Sequence, residues 1–300
     1  MNLQTCRIKK RRRLLSAICL ATTFILLSTL SRPADATGSG GRKHLFAVVP
    51  QHSSLQLTTM WGPFVAHLAI ETGLNIQLTT AKDITTFERC LAQGAYEFAY
   101  MNPYHYTMFH ARSGYQAFAH QTQKKLRGLL VTRKASAIRS LAELEGKSVA
   151  FPSPGAFGAS ILTQAEIRHR NIRFAPKYVK SHDSVYRAVA AGLYAAGGGV
   201  ARTFGKIPHA VKAQLQVIHY TEEYTPHAFA ALAGIPADVI TRVRDAMTNV
   251  ARRSPAIIAG LGMDGIEAAT DETWNDVRAL ELDQNTVQAT KSKDVKCRFD

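Results

Sequence analysis

Four short polar segments, each directly after an apolar run, hold the side chains best placed for chemistry. They are Pro50-Gln51-His52-Ser53-Ser54, Asn102-Pro103-Tyr104-His105-Tyr106, Pro152-Ser153-Pro154-Gly155-Ala156 and Ser181-His182-Asp183. Each reads as the turn from a strand into a helix, which presents backbone N–H groups where about half a unit of positive charge is concentrated. Opposed sets of such turns suit a small oxyanion. The candidate ligand groups are His52 and Ser53, Asn102 with Tyr104 and Tyr106, the stretch from Ser153 through Ala156, Phe157 and Gly158, and the pair Ser181 and His182. His182 directly follows a strand and opens a helix, so its ring can join the N–H donors, as a cation if protonated or a single donor if neutral. Pro154 and Gly155 bend their loop and let its backbone approach a ligand. Tyr104 or Tyr106 is expected to reach across from the opposite side.

Catalytic patterns are missing. The chain has no Gly-x-Ser-x-Gly elbow, no Walker loop and no Gly-x-Gly-x-x-Gly. Gly197-Gly198-Gly199 ends a strand, but the Val-Ala-Arg-Thr that follows does not cradle a phosphate. Among 11 histidines, His105 and His110 are five apart and do not share a helix face, and no His-Glu-x-x-His occurs. Ser181 beside His182 is a neighbour pair in sequence, not a nucleophile with its base. No enzyme activity, cofactor or metal is expected.

Elements that alternate along the chain must position these turns. Strands are expected over 44–49, 75–80, 96–101 and 126–132, interleaved with helices over 58–71, 84–92 and 103–111. Asp83 is the N-cap of the second helix and Pro103 opens the third. A second series has strands over 147–151, 173–179, 194–199 and 214–220, with helices over 157–169 and 183–191. After Pro226 the chain turns apolar and ends in helices near 237–251, 255–261 and 273–280. Two such series predict an α/β fold of two lobes, with a hinge of two crossover segments near 127–132 and 222–226 and a cleft between them. Lobe 1 takes residues 44–130 and 225–282, lobe 2 takes 131–224, and 283–300 form a polar tail. Ligands in open α/β sheets bind beyond the carboxyl ends of strands, so both series face one crevice.

The ends and the charge place the chain outside the cytoplasm. Lys9 to Arg13 form a positive start, residues 14–30 an apolar stretch, and Ala34-Asp35-Ala36 a small-x-small cleavage pattern. Residues 1–36 therefore read as an export signal, cleaved near Ala36, with an uncleaved anchor as the competing reading. The net charge of +15 is largely local, since seven of the 37 Lys and Arg lie in that segment against one acid. The remaining residues carry 30 basic and 21 acidic groups without a long basic run, which argues against nucleic acid as a partner. Hydrophobic residues at 46% and charged residues at 20% exclude a disordered chain. Cys90 and Cys297 survive processing. An exported compartment permits a disulfide, but Cys90 is expected to pack as a small hydrophobe beside Phe87 and Leu91, with Cys297 free in the tail.

Across residues 45–280 the chain resembles the phosphate/phosphite/phosphonate-binding proteins of ABC transporters, in the type 2 periplasmic binding protein fold. The resemblance rests on Phe46-Ala47-Val48-Val49-Pro50, Thr80-Ala81-Lys82-Asp83, the segment from Tyr96 to Tyr106, the run from Ile138 to Ala150, and Ser181-His182-Asp183 before Arg187-Ala188-Val189. It implies a periplasmic, non-enzymatic solute-binding protein that closes on a small oxyanion and docks on an ABC permease in the inner membrane. The other role it allows is a ligand-sensing partner of a membrane receptor or histidine kinase. Carried over by residue, the family histidine falls on His182. The family's Ser-Thr-Ser anion loop falls on Ala156, Phe157 and Gly158, leaving backbone donors, with Ser153 or Ser160 to compensate. Family tyrosines fall on Ile84 and Leu126. The carboxylates that recognise an aminoalkyl group fall near Ala201 and Ala228, so an aminoalkylphosphonate is not the expected ligand.

Overall fold

In the computed structural model, which describes residues 42–282 and Cys297, the alternating elements form two sheets. The export segment and the rest of the polar tail lie outside the described residues. Among the described residues no helix is long and apolar enough to cross a membrane.

The first half builds one sheet. Strands β1 (His44–Val48), β2 (Ile76–Thr80) and β3 (Phe98–Met101) run parallel, with helices α1 (Ser54–Thr72) and α2 (Ile84–Ala92) as the crossovers. Helix α3 (Pro103–Ser113) leads to β4 (Gln116–Gln121). Helix α1 starts four residues before the expected position because Ser53 accepts a hydrogen bond from the Gln56 N–H at 3.3 Å and caps it. Asp83 caps α2 in the same way, through the Thr86 N–H at 2.8 Å, as its sequence position predicts. The core of this half is aromatic: Trp61 lies 4.6 Å from Tyr100 and Tyr100 lies 4.8 Å from Phe229, ring centre to ring centre. Fully burying such a side chain stabilises by about 1.5–3 kcal/mol.

The second sheet takes β5 (Leu126–Arg133), β6 (Ser148–Phe151), β7 (Ala175–Tyr178), β8 (Ala196–Val200) and β9 (Leu215–Tyr224) in the order β7-β6-β8-β5-β9. A π turn over Phe157–Leu162 runs into α4 (Thr163–His169), and α5 (His182–Ala190) and α6 (Ala201–Lys206) follow β7 and β8. Glycine in β8 permits close packing. A Cβ on Gly199 would fall on the Tyr186 hydroxyl, and one on Gly198 on the Ala159 carbonyl.

The chain then returns to the first sheet as β10 (Ala228–Ala231), antiparallel to both β3 and β4, and β11 (Ile266–Ala268) closes its edge. The full order is β11-β4-β10-β3-β1-β2. Strand β5 lies in the second sheet along its whole length, so the first crossing is 122–125 instead of the expected 127–132. The return is 225–227. Against expectation, Cys90 and Cys297 form a disulfide, with Cα atoms 5.4 Å apart. It closes a loop of 207 residues, a constraint on the unfolded chain worth about 5 kcal/mol in the chain-entropy account.

Candidate functional site

The carboxyl ends of β1, β3, β6, β7 and β8 all point toward the seam between the sheets, and the turns that follow them touch one another. Asn102 Nδ2 donates to the Gly155 carbonyl at 3.0 Å, and the His182 N–H donates to the Gln51 carbonyl at 3.1 Å. His52 Nδ1 meets Asp183 Oδ1 at 2.9 Å, and Arg202 Nη2 donates to Gln51 Oε1 at 2.6 Å. Gly155 is required here, since any Cβ would fall on the Glu88 carboxylate from the first sheet's side.

These contacts enclose a cavity of about 10 Å³, the space of about one water. Gln51, Asn102, His182 and His227 form its polar wall, while Ile84, Leu126, Phe157 and Val200 form the apolar one. Arg202 stands next to it, its guanidinium 5.3 Å from the centre of the Tyr100 ring, and Tyr100 stacks on His227 at 5.0 Å. Among the described residues no carboxylate lines the cavity.

The electrostatics follow from burial. His182 is pushed down to about 3, first by burial and then by the neighbouring charges of His52 and Arg202, against the pull of Asp183. At neutral pH it is therefore an uncharged ring, with Nδ1 3.1 Å from the Thr203 hydroxyl, and it lines the cavity. Burial, Arg202, His105 and His182 likewise hold His227 well below its ordinary value. Burial raises the Asp183 carboxyl, but the His52 hydrogen bond and charge, with the Ser53 N–H, outweigh it and keep the group ionised. Three buried polar atoms at or beside the cavity have no hydrogen-bond partner: His227 Nε2, Ser153 Oγ and Ser160 Oγ. Buried unpaired atoms of this kind call for an explanation, and these three lie at one place.

The structure sorts the expected residues. Asn102, His182, Ala156, Phe157 and Gly158 line the cavity, and Ser153 lies in the loop beside it with its hydroxyl unpaired. The π turn after Ala156 lacks a side-chain cap, unlike the helices after Ser53, Asn102 and Ser181. His52 borders a small adjoining pocket and holds Asp183. Ser53 is exposed and caps α1, while Ser181 caps α5 through the Ser184 N–H at 3.1 Å. The expectation that Tyr104 or Tyr106 reaches across is corrected. The Tyr106 hydroxyl donates to Asp271 at 2.6 Å, and Tyr104 lines a separate pocket with Val277 and Arg278. Successive helix residues turn by about 100°, so with Asn102 and His105 facing the second sheet Tyr104 faces away, while Tyr106, on the flank, is held by Asp271.

Arg202, His227 and Tyr100 were not among the expected residues. The signal for Arg202 was legible: Val200-Ala201-Arg202-Thr203 follows an apolar glycine-rich strand and is a fifth strand-to-helix turn at the same edge. His227 had only a weak signal, its place at the return crossing.

The family model for the periplasmic phosphonate substrate-binding protein of ABC transporters matches residues 46–274. The comparison with curated protein sequences gives no match. Among solved structures, a binding protein component of an ABC phosphonate transporter from Pseudomonas aeruginosa superposes with a TM-score of 0.75 at 16% identity, covering 85% of this chain and 91% of that one. PhnD1 from Prochlorococcus marinus, in complex with methylphosphonate, gives 0.73 at 11% identity, covering 79% and 96%. The periplasmic binding protein BugD gives 0.57 at 12% identity, covering 83% and 97%. At these identities the structural likeness shows the fold, that of type 2 periplasmic binding proteins, and no more.

Proposed function

The chain belongs to the family of periplasmic substrate-binding proteins of ABC phosphonate transporters, and from that premise we propose that it binds a small phosphorus oxyanion without an amino group, between two lobes built on the two sheets. The observation that carries this reading is the lining of the cavity. His182, His227 and Asn102 bring polar groups, no carboxylate lines the wall, and Arg202, beside the cavity and bonded to Gln51 of its wall, brings a permanent positive charge. Beside the two positions where the resemblance implies acids, Ala201 and Ala228, stand Arg202 and His227. An ammonium group would meet a cation there. The apolar wall of Ile84, Leu126 and Phe157 suits a short alkyl substituent, which favours phosphate, phosphite or a simple alkylphosphonate.

Binding opens the seam and closes it again around the ligand. The bonds between Asn102 and Gly155 and between His182 and Gln51 join the two sides of the seam, and an oxyanion seated between them takes over those donors. The hinge of this reading is 122–125 with 225–227. The export signal cleaved near Ala36, delivery to a membrane permease and the absence of catalysis belong to the same proposal.

Calorimetry against phosphate, phosphite, methylphosphonate, 2-aminoethylphosphonate and acetate tests it. Binding of one or more of the phosphorus anions is expected, with the aminoethyl compound excluded. Preference for the aminoethyl compound, or no binding of any phosphorus anion, overturns it.

A further inference from the structure

We infer that a second anionic group of the ligand lies in a basic groove that opens behind the cavity at the hinge, so that the natural substrate carries two anionic groups on a short linker. This inference rests on the proposed function. Three spaces in the structure share their walls. The cavity shares Leu126, Val200 and His227 with a neck of about 40 Å³, and the neck shares Lys125, Arg127 and Arg202 with a groove of about 710 Å³. That volume falls within the range of about 300–1,000 Å³ typical of small-molecule sites. A phosphorus anion alone, closed in the cavity, leaves the groove without a role.

The charge of the groove is one-sided. It is lined by Lys124, Lys125, Arg127, Arg202 and Lys206, against the single carboxylate Glu223. Some of that charge is already engaged: Lys124 lies 2.7 Å from Asp264, and Arg127 stacks 4.7 Å over the Tyr220 ring with Glu223 at 3.9 Å. Among the described residues Lys125 and Arg202 have no carboxylate within ion-pair distance, and both line the neck. Arg202 lines the neck and the groove, and its hydrogen bond to Gln51 ties it to the cavity wall. The shared walls make one path from the cavity, lined by His182, through the neck at Arg202 to the groove at Lys125, and a short linker between two anions would follow it. A partner macromolecule fits poorly, because the cations line a recess at the hinge and not an open face.

Alkane bisphosphonates from ethane to butane, compared with methylphosphonate by calorimetry on the full mature chain, act as a ruler for this arrangement. One member of the series is expected to bind about tenfold or more tightly than methylphosphonate at low salt, with a clear optimum in length. Lys125→Glu, an exposed substitution whose folding a thermal melt checks, is expected to weaken that bisphosphonate about tenfold and methylphosphonate less than about twofold. Equal affinity for both classes overturns the inference and leaves the proposed function standing. Equal weakening of both by Lys125→Glu also overturns it, since a general change of field acts on every anion. Failure of both classes to bind removes the proposed function and the inference together.

Discussion

Two buried histidine clusters lie along the same seam, and they are built in opposite ways. At one, His105 Nε2 meets Glu88 Oε1 at 2.9 Å, with the imidazole wholly buried and the carboxylate nearly so, and Asn102 closes the group. At the other, His182 and His227 face Arg202 and each other with no carboxylate on the cavity wall. The first cluster carries its own carboxylate, although His105 Nδ1 is left without a hydrogen-bond partner. The second is short of negative charge and leaves His227 Nε2 unpaired. Both contain imidazoles on strand-to-helix turns, so residue type does not distinguish a structural site from a binding one. The presence or absence of a facing carboxylate does.

Breaking the first cluster has the largest expected effect. Glu88→Ala leaves His105 buried without its partner and should cost about 3–5 kcal/mol of stability, with ligand affinity of the folded fraction unchanged; denaturant melts and calorimetry separate the two. An equal loss of affinity would erase the contrast between the clusters. Removing one group of the second cluster should do the reverse. Arg202→Ala and His182→Ala are each expected to lower affinity for a phosphorus anion about tenfold to a hundredfold, from the loss of a hydrogen bond to a charged ligand worth about 1.5–3 kcal/mol. Arg202, only half-buried, should cost little stability. A His182→Ala protein that melts lower but binds as before would make that ring a structural feature of α5.

Acid sharpens the comparison further. His182 and His227 are both held below the ordinary histidine value, so the unfolded chain takes up protons that the folded one does not. Their contribution to stability is therefore constant above about pH 6.5 and falls as the pH drops below it, for His182 down to about 3, by up to about 1.4 kcal/mol per pH unit for each ring. Asp183, held low by His52, adds a loss in the same direction below its unfolded value. Urea melts from pH 7.5 to 4 measure the slope, and His182→Gln should flatten it; an unaltered slope would show that this ring does not titrate with folding. The smallest effect belongs to Ser160→Ala. Its hydroxyl is buried and unpaired, so stability should stay within about 0.5 kcal/mol while affinity falls about threefold to tenfold if the hydroxyl donates to the ligand.

How far the sequence reached depended on whether a signal was local. Asp83 and Asn102 are N-caps, and the strand-to-helix turns they close were legible because capping is decided within four residues. The strands β4 and β11 were not, since Gln-Ala-Phe-Ala-His-Gln and Ile-Glu-Ala lack a β-branched run and owe their pairing to a neighbour distant in sequence. At the site, Asn102, Ala156, Phe157, Gly158 and His182 could be placed by their position at a turn. Which side of α3 faces the seam could not, and that register decides between His105 and Tyr106. Arg202 was passed over because a glycine-rich phosphate loop was sought, whereas this chain uses the glycines of β8 to seat a helix. The Cys90–Cys297 bond joins residues 207 apart, one of them in a tail with no pattern of its own.

That disulfide also gives the molecule a topology. It turns residues 90–297 into a covalent ring that contains the whole second sheet and both crossings at the hinge. The lobe within the ring can swing, or even come apart locally, while its two connections stay tethered to α2. A protease that cuts the chain once at the hinge opens the ring but releases no fragment. Under non-reducing conditions the nicked protein remains one molecule, and only a thiol reductant separates its pieces.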